Sequence, residues 1–268
     1  SFDLETSANF RRFLECEHQL NYESSGVIVA LAVAARARRA SAPMTALIVF
    51  SGHLKGACKD TRLLEHFSKQ CNHVFETCEK VLVTYTAPFG VSMNGKRRTP
   101  THQLSYAECL RRISERVHFD KIQTVEETAS PLRALRYHQM VSSILLGLRS
   151  ARSRHTVALR MRPDSGLGGI NGILSNATWR TLLDIPADTV VQYGTYLGRD
   201  GDRVNGDNVF AARSNTFEQF VRLWGQEVAD LLSSGAYAHA ELTMNAVARW
   251  HNLTLTEAPK CPSKRCAR

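Results

Sequence analysis

The chain has 268 residues, 43% of them hydrophobic, which is enough to build one large core and excludes a disordered or collagen-like polymer. Its longest apolar run, GVIVALAVAA at residues 26–35, is too short to span a bilayer and reads as a buried element rather than an anchor. A formal net charge of +9 points to an anionic partner; the basic residues are dispersed and no nucleic-acid-binding motif accompanies them, so the expectation is no nucleic acid but phosphate-bearing small molecules or anionic glycans.

Residues 1–44 form a lead-in, residues 45–255 an α/β core and residues 256–268 a basic, cysteine-containing tail, together read as a single domain. The chain starts at Ser1, and an upstream signal or membrane anchor is compatible with that start. Within the core, residues 45–50 are a short apolar run that Ser51 and Gly52 break. Leu63, Leu64, Phe67, Cys71, Val74, Phe75 and Cys78 then recur at helical spacing, and KVLVTYT at residues 80–86 is β-rich. Strand, loop, helix, strand is a βαβ unit, which predicts a parallel sheet with ligand chemistry at the strand C-termini.

A long Pro-, Gly- and Lys/Arg-rich loop covers residues 88–103, followed by a helix at 106–116 and a short strand at 121–127. A helix over residues 131–150 follows, with Ser130 as its N-cap, Pro131 at its first position and an apolar stripe through Leu135, Met140, Ile144 and Leu148. Strand-like text then runs into RMRPD at residues 160–164. ADTVVQYG at 187–194 and NVFAAR at 208–213 are further strands. A long amphipathic helix at 214–232 takes Ser214 or Asn215 as its cap, and a last helix covers 238–253. Helices and strands alternate almost throughout, so the expected fold is α/β, a Rossmann-like domain with a mostly parallel sheet flanked by helices.

Four constellations carry candidate chemistry. SGHLKG, residues 51–56, leaves the first strand with backbone N–H groups and Lys55 available to an anion; the alternative is an ordinary strand–helix connection. In a strand, Arg160, Arg162 and Asp164 share a face, which suits a pyrophosphate gripped by guanidinium groups, with Asp164 holding a divalent cation; the alternative is a buried Arg–Asp pair. Asp200, Asp202, Asn205 and Asp207 sit in GRDGDRVNGDN, either an oxygen-rich cation loop or a solvated turn. On the helix before RMRPD, Arg133, Arg136 and Gln139 with His138 offer donors to a phosphate or base, or form a solvated face. Glu241 is the one late acid in an apolar context, a base or a carboxylate satisfying the helix dipole.

In combination these motifs resemble GT-A-type nucleotide-sugar-dependent glycosyltransferases, within a loose eukaryotic, algal and viral group. The match runs over IVFSGHLKG, VLVTYT, ALRYHQM, LRMRPD, GDNVFAARSNTFEQF and Glu241, roughly residues 45–250. The resemblance implies transfer of a sugar from a nucleotide sugar to the hydroxyl of a glycan or glycoprotein acceptor. Carried over, Ser51, Gly52, His53 and Lys55 lie against the nucleotide, with Arg136 and Gln139 adding donors, and Arg160 or Arg162 contacts phosphate. Asp164 stands at the metal-binding Asp-x-Asp, with Asp200 and Asp202 as weaker candidates for Mn²⁺ or Mg²⁺, and Asp207 or Glu241 faces the acceptor hydroxyl, as base if the sugar configuration inverts; a retaining outcome is equally compatible. Arg162 replaces one carboxylate of Asp-x-Asp, which puts metal dependence in doubt. The alternatives are a non-catalytic secreted domain that binds anionic glycans and another nucleotide-using transferase, such as a sulfotransferase.

Seven cysteines without CxxC spacing argue against a thiolate zinc site and leave disulfides open. Asn176-Ala-Thr and Asn252-Leu-Thr are N-glycosylation sequons that permit a secretory location. The expected compartment is the Golgi or secretory lumen, or the cytoplasm if the cysteines are reduced.

Overall fold

Strict alternation along TALIVFSG fixes how the sheet is covered. The computed structural model describes residues 44–54, 57–58, 60–86, 105–126, 133–163, 182–197, 203–235 and 240–257, all within the unit Pro43–Arg268. In the first strand, β1 (Thr45–Gly52), Ala46, Ile48 and Phe50 enter one core while Leu47 and Val49 enter another. A strand buried on both faces belongs in the middle of a sheet.

The first core is roofed by α1 (Arg62–Val74) and α2 (Tyr106–Ser114), through Leu63, Leu64, Phe67, Cys71, Cys109 and Ile113. The second lies under α3 (Arg133–Ser150), α4 (Ser214–Ser234) and α5 (Ala240–Trp250). Between these layers run β2 (Thr77–Tyr85), β3 (Lys121–Val125), β4 (Val157–Met161), β5 (Thr189–Leu197), β6 (Arg203–Arg213) and β7 (Thr254–Glu257). Their order is β3-β2-β1-β4-β6-β5-β7, and only β6 runs against its neighbours. The domain is therefore α/β and Rossmann-like, with a seven-stranded, mostly parallel sheet flanked by helices. Among the described residues no helix is long and apolar enough to cross a membrane.

Close approach of helix to strand rests on Gly147. A Cβ there would overlap Val49 Cγ1 and stand 3.3 Å from Val83 Cγ2. Gly225 lets α4 meet α3 in the same way, 3.2 Å from Val141 Cγ1. On α4, Phe217, Phe220, Val221, Trp224 and Val228 fall on one helical face. The buried indole N–H of Trp224 donates to Thr243 Oγ1 at 2.8 Å.

Several boundaries differ from the sequence reading. The helical pattern ends at Val74, Phe75 is already extended, and Cys78 belongs to β2, where it is disulfide-bonded to Cys71. Ser51 and Gly52 continue β1, because Val83 and Thr84 pair with them. Residues 203–207, read as loop, belong to β6, with Leu197 opposite Arg203 in an antiparallel pair. Strand β7 and a short 3₁₀ turn at Leu182–Asp184 were not foreseen. Neither Ser214 nor Asn215 caps α4. Arg213 holds the N-cap position without a side-chain cap bond, and the N–H of Ser214 donates to Thr156 O at 3.2 Å at the end of the β4–β6 ladder. Ser130, Pro131 and the loop at 88–103 lie outside the described residues.

Two disulfides, Cys58–Cys109 and Cys71–Cys78, have Cα separations of 5.0 and 5.8 Å, within the range a disulfide spans. They fit an oxidising, secretory-pathway environment.

Candidate functional site at the β1/β4 switch point

The sheet reverses its direction of growth between β1 and β4. From β1 the chain moves outward through β2 to β3, then α3 carries it back to lay β4 on the other side of β1. At such a reversal a crevice opens beyond the carboxyl ends of the two strands, where ligands of open α/β sheets bind. Ser51 and Gly52 end β1 at this edge and His53 follows them; Arg160 and Met161 end β4 and Arg162 follows.

Register explains how two of them meet. Val49 lies opposite Arg160 and Phe50 opposite Met161, so Ser51 and Arg160 are diagonal neighbours on one face of the sheet. The Nε–H of Arg160 donates to Ser51 Oγ at 3.1 Å, and both residues are 0% exposed. Burying a guanidinium costs on the order of several kcal/mol unless its charge and protons are satisfied, and the Ser51 hydroxyl meets one of those protons. Ser51 and Arg160 thus form a buried pair just beneath this strand end.

The rim comes from their neighbours. Arg162 is half-buried, just past the end of β4. His53 is half-buried, and its ring meets that of Tyr85 with centroids 4.7 Å apart and planes tilted by 37°. Gly52 has φ 138°, which side-chain-bearing residues rarely adopt, so glycine is needed where β1 leaves the sheet. Helix α3 returns the chain from the end of β3 to the start of β4, so its N-terminal half lies toward the same edge; Arg136 and Gln139 are half-buried there. The sequence reading missed Tyr85. Its only trace in the sequence is its place beside Thr86, and the β1–β2 register that sets it near His53 follows from the sheet.

Asp207 falls inside β6 rather than before it, and Glu241 is the second residue of α5; their side chains lie outside those described. Lys55, Asp164, Asp200 and Asp202 lie outside the described residues altogether. Among the described residues no three His, Cys, Asp or Glu side chains converge as a metal site.

A second titratable cluster occupies the opposite edge of the sheet. His155 Nε2 lies 2.7 Å from Glu79 Oε2, both residues buried, and 3.3 Å from Ser153 Oγ. Glu79 Oε1 accepts the Arg152 N–H at 2.7 Å. A Ser–His–acid relay needs the hydroxyl and the carboxylate on different ring nitrogens. Here both meet Nε2, so the cluster ties the start of β4 to β2 and does not activate Ser153. Nearby, burial lowers the Lys80 ammonium from its ordinary value, and its Nζ donates to Asn72 Oδ1 at 3.0 Å. On β5, burial pushes the Tyr193 phenol upward, so it stays neutral in the core.

No protein-family model matches the chain, and no curated protein matches it either. What marks the site is the set of residues gathered at the ends of β1 and β4.

Proposed function

We propose that the chain is a glycosyltransferase that moves a sugar from a nucleotide sugar to an acceptor hydroxyl in the lumen of the secretory pathway, the Golgi being the expected station. The observation that carries the reading is the buried Arg160–Ser51 pair at the switch point, with half-buried Arg162 and His53 following the two strands. The two disulfides support the compartment.

In this reading Arg162 bonds the diphosphate, and Arg160 adds positive potential from below without touching it. Both favour the leaving group as its charge develops. The paired rings of His53 and Tyr85 offer a flat surface to the nucleobase. Arg136 and Gln139 add donors from α3. The acceptor oxygen bonds to the anomeric carbon as the carbon–oxygen bond to the diphosphate breaks, and Asp207 or Glu241 takes the acceptor proton. Asp164, with Asp200 and Asp202 behind it, is the candidate to hold Mn²⁺ or Mg²⁺, which would screen the diphosphate charge.

The test is thermal unfolding in the presence of UDP-, GDP-, CMP- and ADP-linked sugars, with and without Mn²⁺. A ligand at a hundredfold excess over its Kd stabilises the folded state by about 2.7 kcal/mol. The expected result is a rise with one nucleotide class that is lost in Arg162→Ala. No rise with any of them, in folded protein, overturns the reading and leaves a domain that binds anionic glycans.

A further inference from the structure

We propose that Asn252 is the acceptor of an N-linked glycan whose first sugar packs on the indole of Trp250. Asn252-Leu253-Thr254 is a sequon with a permissive middle residue. A sequon is useful only where the folded chain leaves room for a branched sugar, and this one sits at such a place.

Helix α5 ends at Trp250, and Asn252 takes φ 51°. The Leu253 N–H donates to Ala248 O at 2.9 Å, the outer bond of a Schellman cap with Asn252 in the left-handed position. Asparagine tolerates that conformation better than other side-chain-bearing residues. Asn252 and Thr254 are both exposed, so both sequon side chains stand at the surface of the finished fold.

Two further observations point to a sugar. Trp250, two residues before Asn252 in the last turn of α5, is 65% exposed and the most exposed large hydrophobic residue among those described. An indole held in water is unusual and marks a contact surface; the apolar C–H face of a pyranose covers an aromatic ring of this size. Thr254 also opens β7, which among the described residues is the terminal strand of the sheet and pairs with β5 on one side. Sheet edges need protection against pairing with other chains, and a glycan at the start of β7 supplies a bulky, hydrated shield.

The transfer step is balanced by a polyprenyl-diphosphate-linked oligosaccharide. The carboxamide nitrogen of Asn252 bonds to the anomeric carbon of its reducing-end N-acetylglucosamine. The anomeric C–O bond breaks with its electrons leaving on the lipid diphosphate, and one amide proton is lost to base. The disulfides fit a secretory-pathway compartment, the setting in which such a donor is used. This modification is independent of the proposed transferase activity.

The full chain, secreted from a eukaryotic host behind a cleavable signal, is digested with peptide-N-glycosidase in ¹⁸O water and mapped by mass spectrometry. The expected result is an ¹⁸O-labelled aspartate at position 252, and loss of one glycan's gel shift in Thr254→Val but not in Thr254→Ser. An unmodified Asn252 peptide from secreted, disulfide-bonded protein overturns the proposal. Glycosidase treatment should lower the melting temperature of the native protein, and Trp250→Ala should abolish that difference. A difference that survives in Trp250→Ala refutes the packing on the indole.

Discussion

Ser51 is the smallest change that tests the buried pair at the switch point. Its hydroxyl accepts from a guanidinium with no solvent exposure, so Ser51→Ala removes an acceptor and admits no water in its place. Leaving a buried charged donor short of a partner costs about 1–3 kcal/mol. Urea unfolding of Ser51→Ala should show a loss in that range with an unchanged m-value; a loss below about 0.5 kcal/mol would mean that the hydroxyl matters little to Arg160. Gly147 tests packing instead. Alanine improves helix propensity by about 1 kcal/mol, but the added carbon overlaps Val49, a stiff β-branched residue in the centre of β1. Overpacking of this kind costs about 1–3 kcal/mol, so Gly147→Ala should be destabilising although it sits mid-helix, where Gly→Ala ordinarily helps.

At the scale of elements, α2 shows how a short helix is held. Ser105 Oγ accepts the Glu108 N–H at 3.2 Å, and Ser105→Ala should cost about 1 kcal/mol. Hydrogen bonds from Arg111 and Arg112 hold the Glu108 carboxyl down to about 2, against an ordinary 4.5. A depressed carboxylate stabilises the fold fully above its unfolded value and loses that contribution as pH falls from 4.5 toward 2. Glu108 is half-buried but its partners Arg111 and Arg112 are exposed, so salt screens the effect. Comparing native and Glu108→Gln melting across that pH window, in low and high salt, should show the two curves converging in acid and at high salt. The elements also mark what the sequence made legible. Runs such as TALIVF and KVLVTY declare buried strands by composition alone, and the βαβ unit followed from them. The segment at residues 203–207 reads RVNGD, which is turn chemistry, and it becomes strand only because Thr195–Leu197 lies opposite to pair with it. Strand β7 is four residues at an edge, too short for a period-2 signal. The charged residues at residues 160–162 were visible as a cluster. That Arg160 spends its Nε on Ser51 was not, because nothing in the sequence says that β1 and β4 are neighbours.

For the whole molecule, the disulfides decide how the crevice edge is tied to the rest. Cys71–Cys78 joins residues 7 apart, at the end of α1 and the start of β2, and is a local clasp. Cys58–Cys109 joins residues 51 apart, anchoring the segment that leaves β1 to α2. Chain-entropy arithmetic assigns about 4 kcal/mol to the longer loop and about 2.4 kcal/mol to the shorter. In a domain of this size each kcal/mol is worth about 2–4 °C. Cys58→Ala/Cys109→Ala should therefore lower the melting temperature by roughly 10 °C, clearly more than Cys71→Ala/Cys78→Ala. Binding should separate the two bonds further. Cys58 lies six residues after Gly52, on the same connection as His53, so losing its anchor frees that connection while the buried Arg160–Ser51 pair stays in the sheet. In the transferase reading, the long-loop variant loses nucleotide-sugar affinity at temperatures where it is still folded, and the short-loop variant keeps it. Equal affinity in both variants would show that the connection after β1 takes no part in holding the ligand, and would move the site onto the β4 side of the crevice.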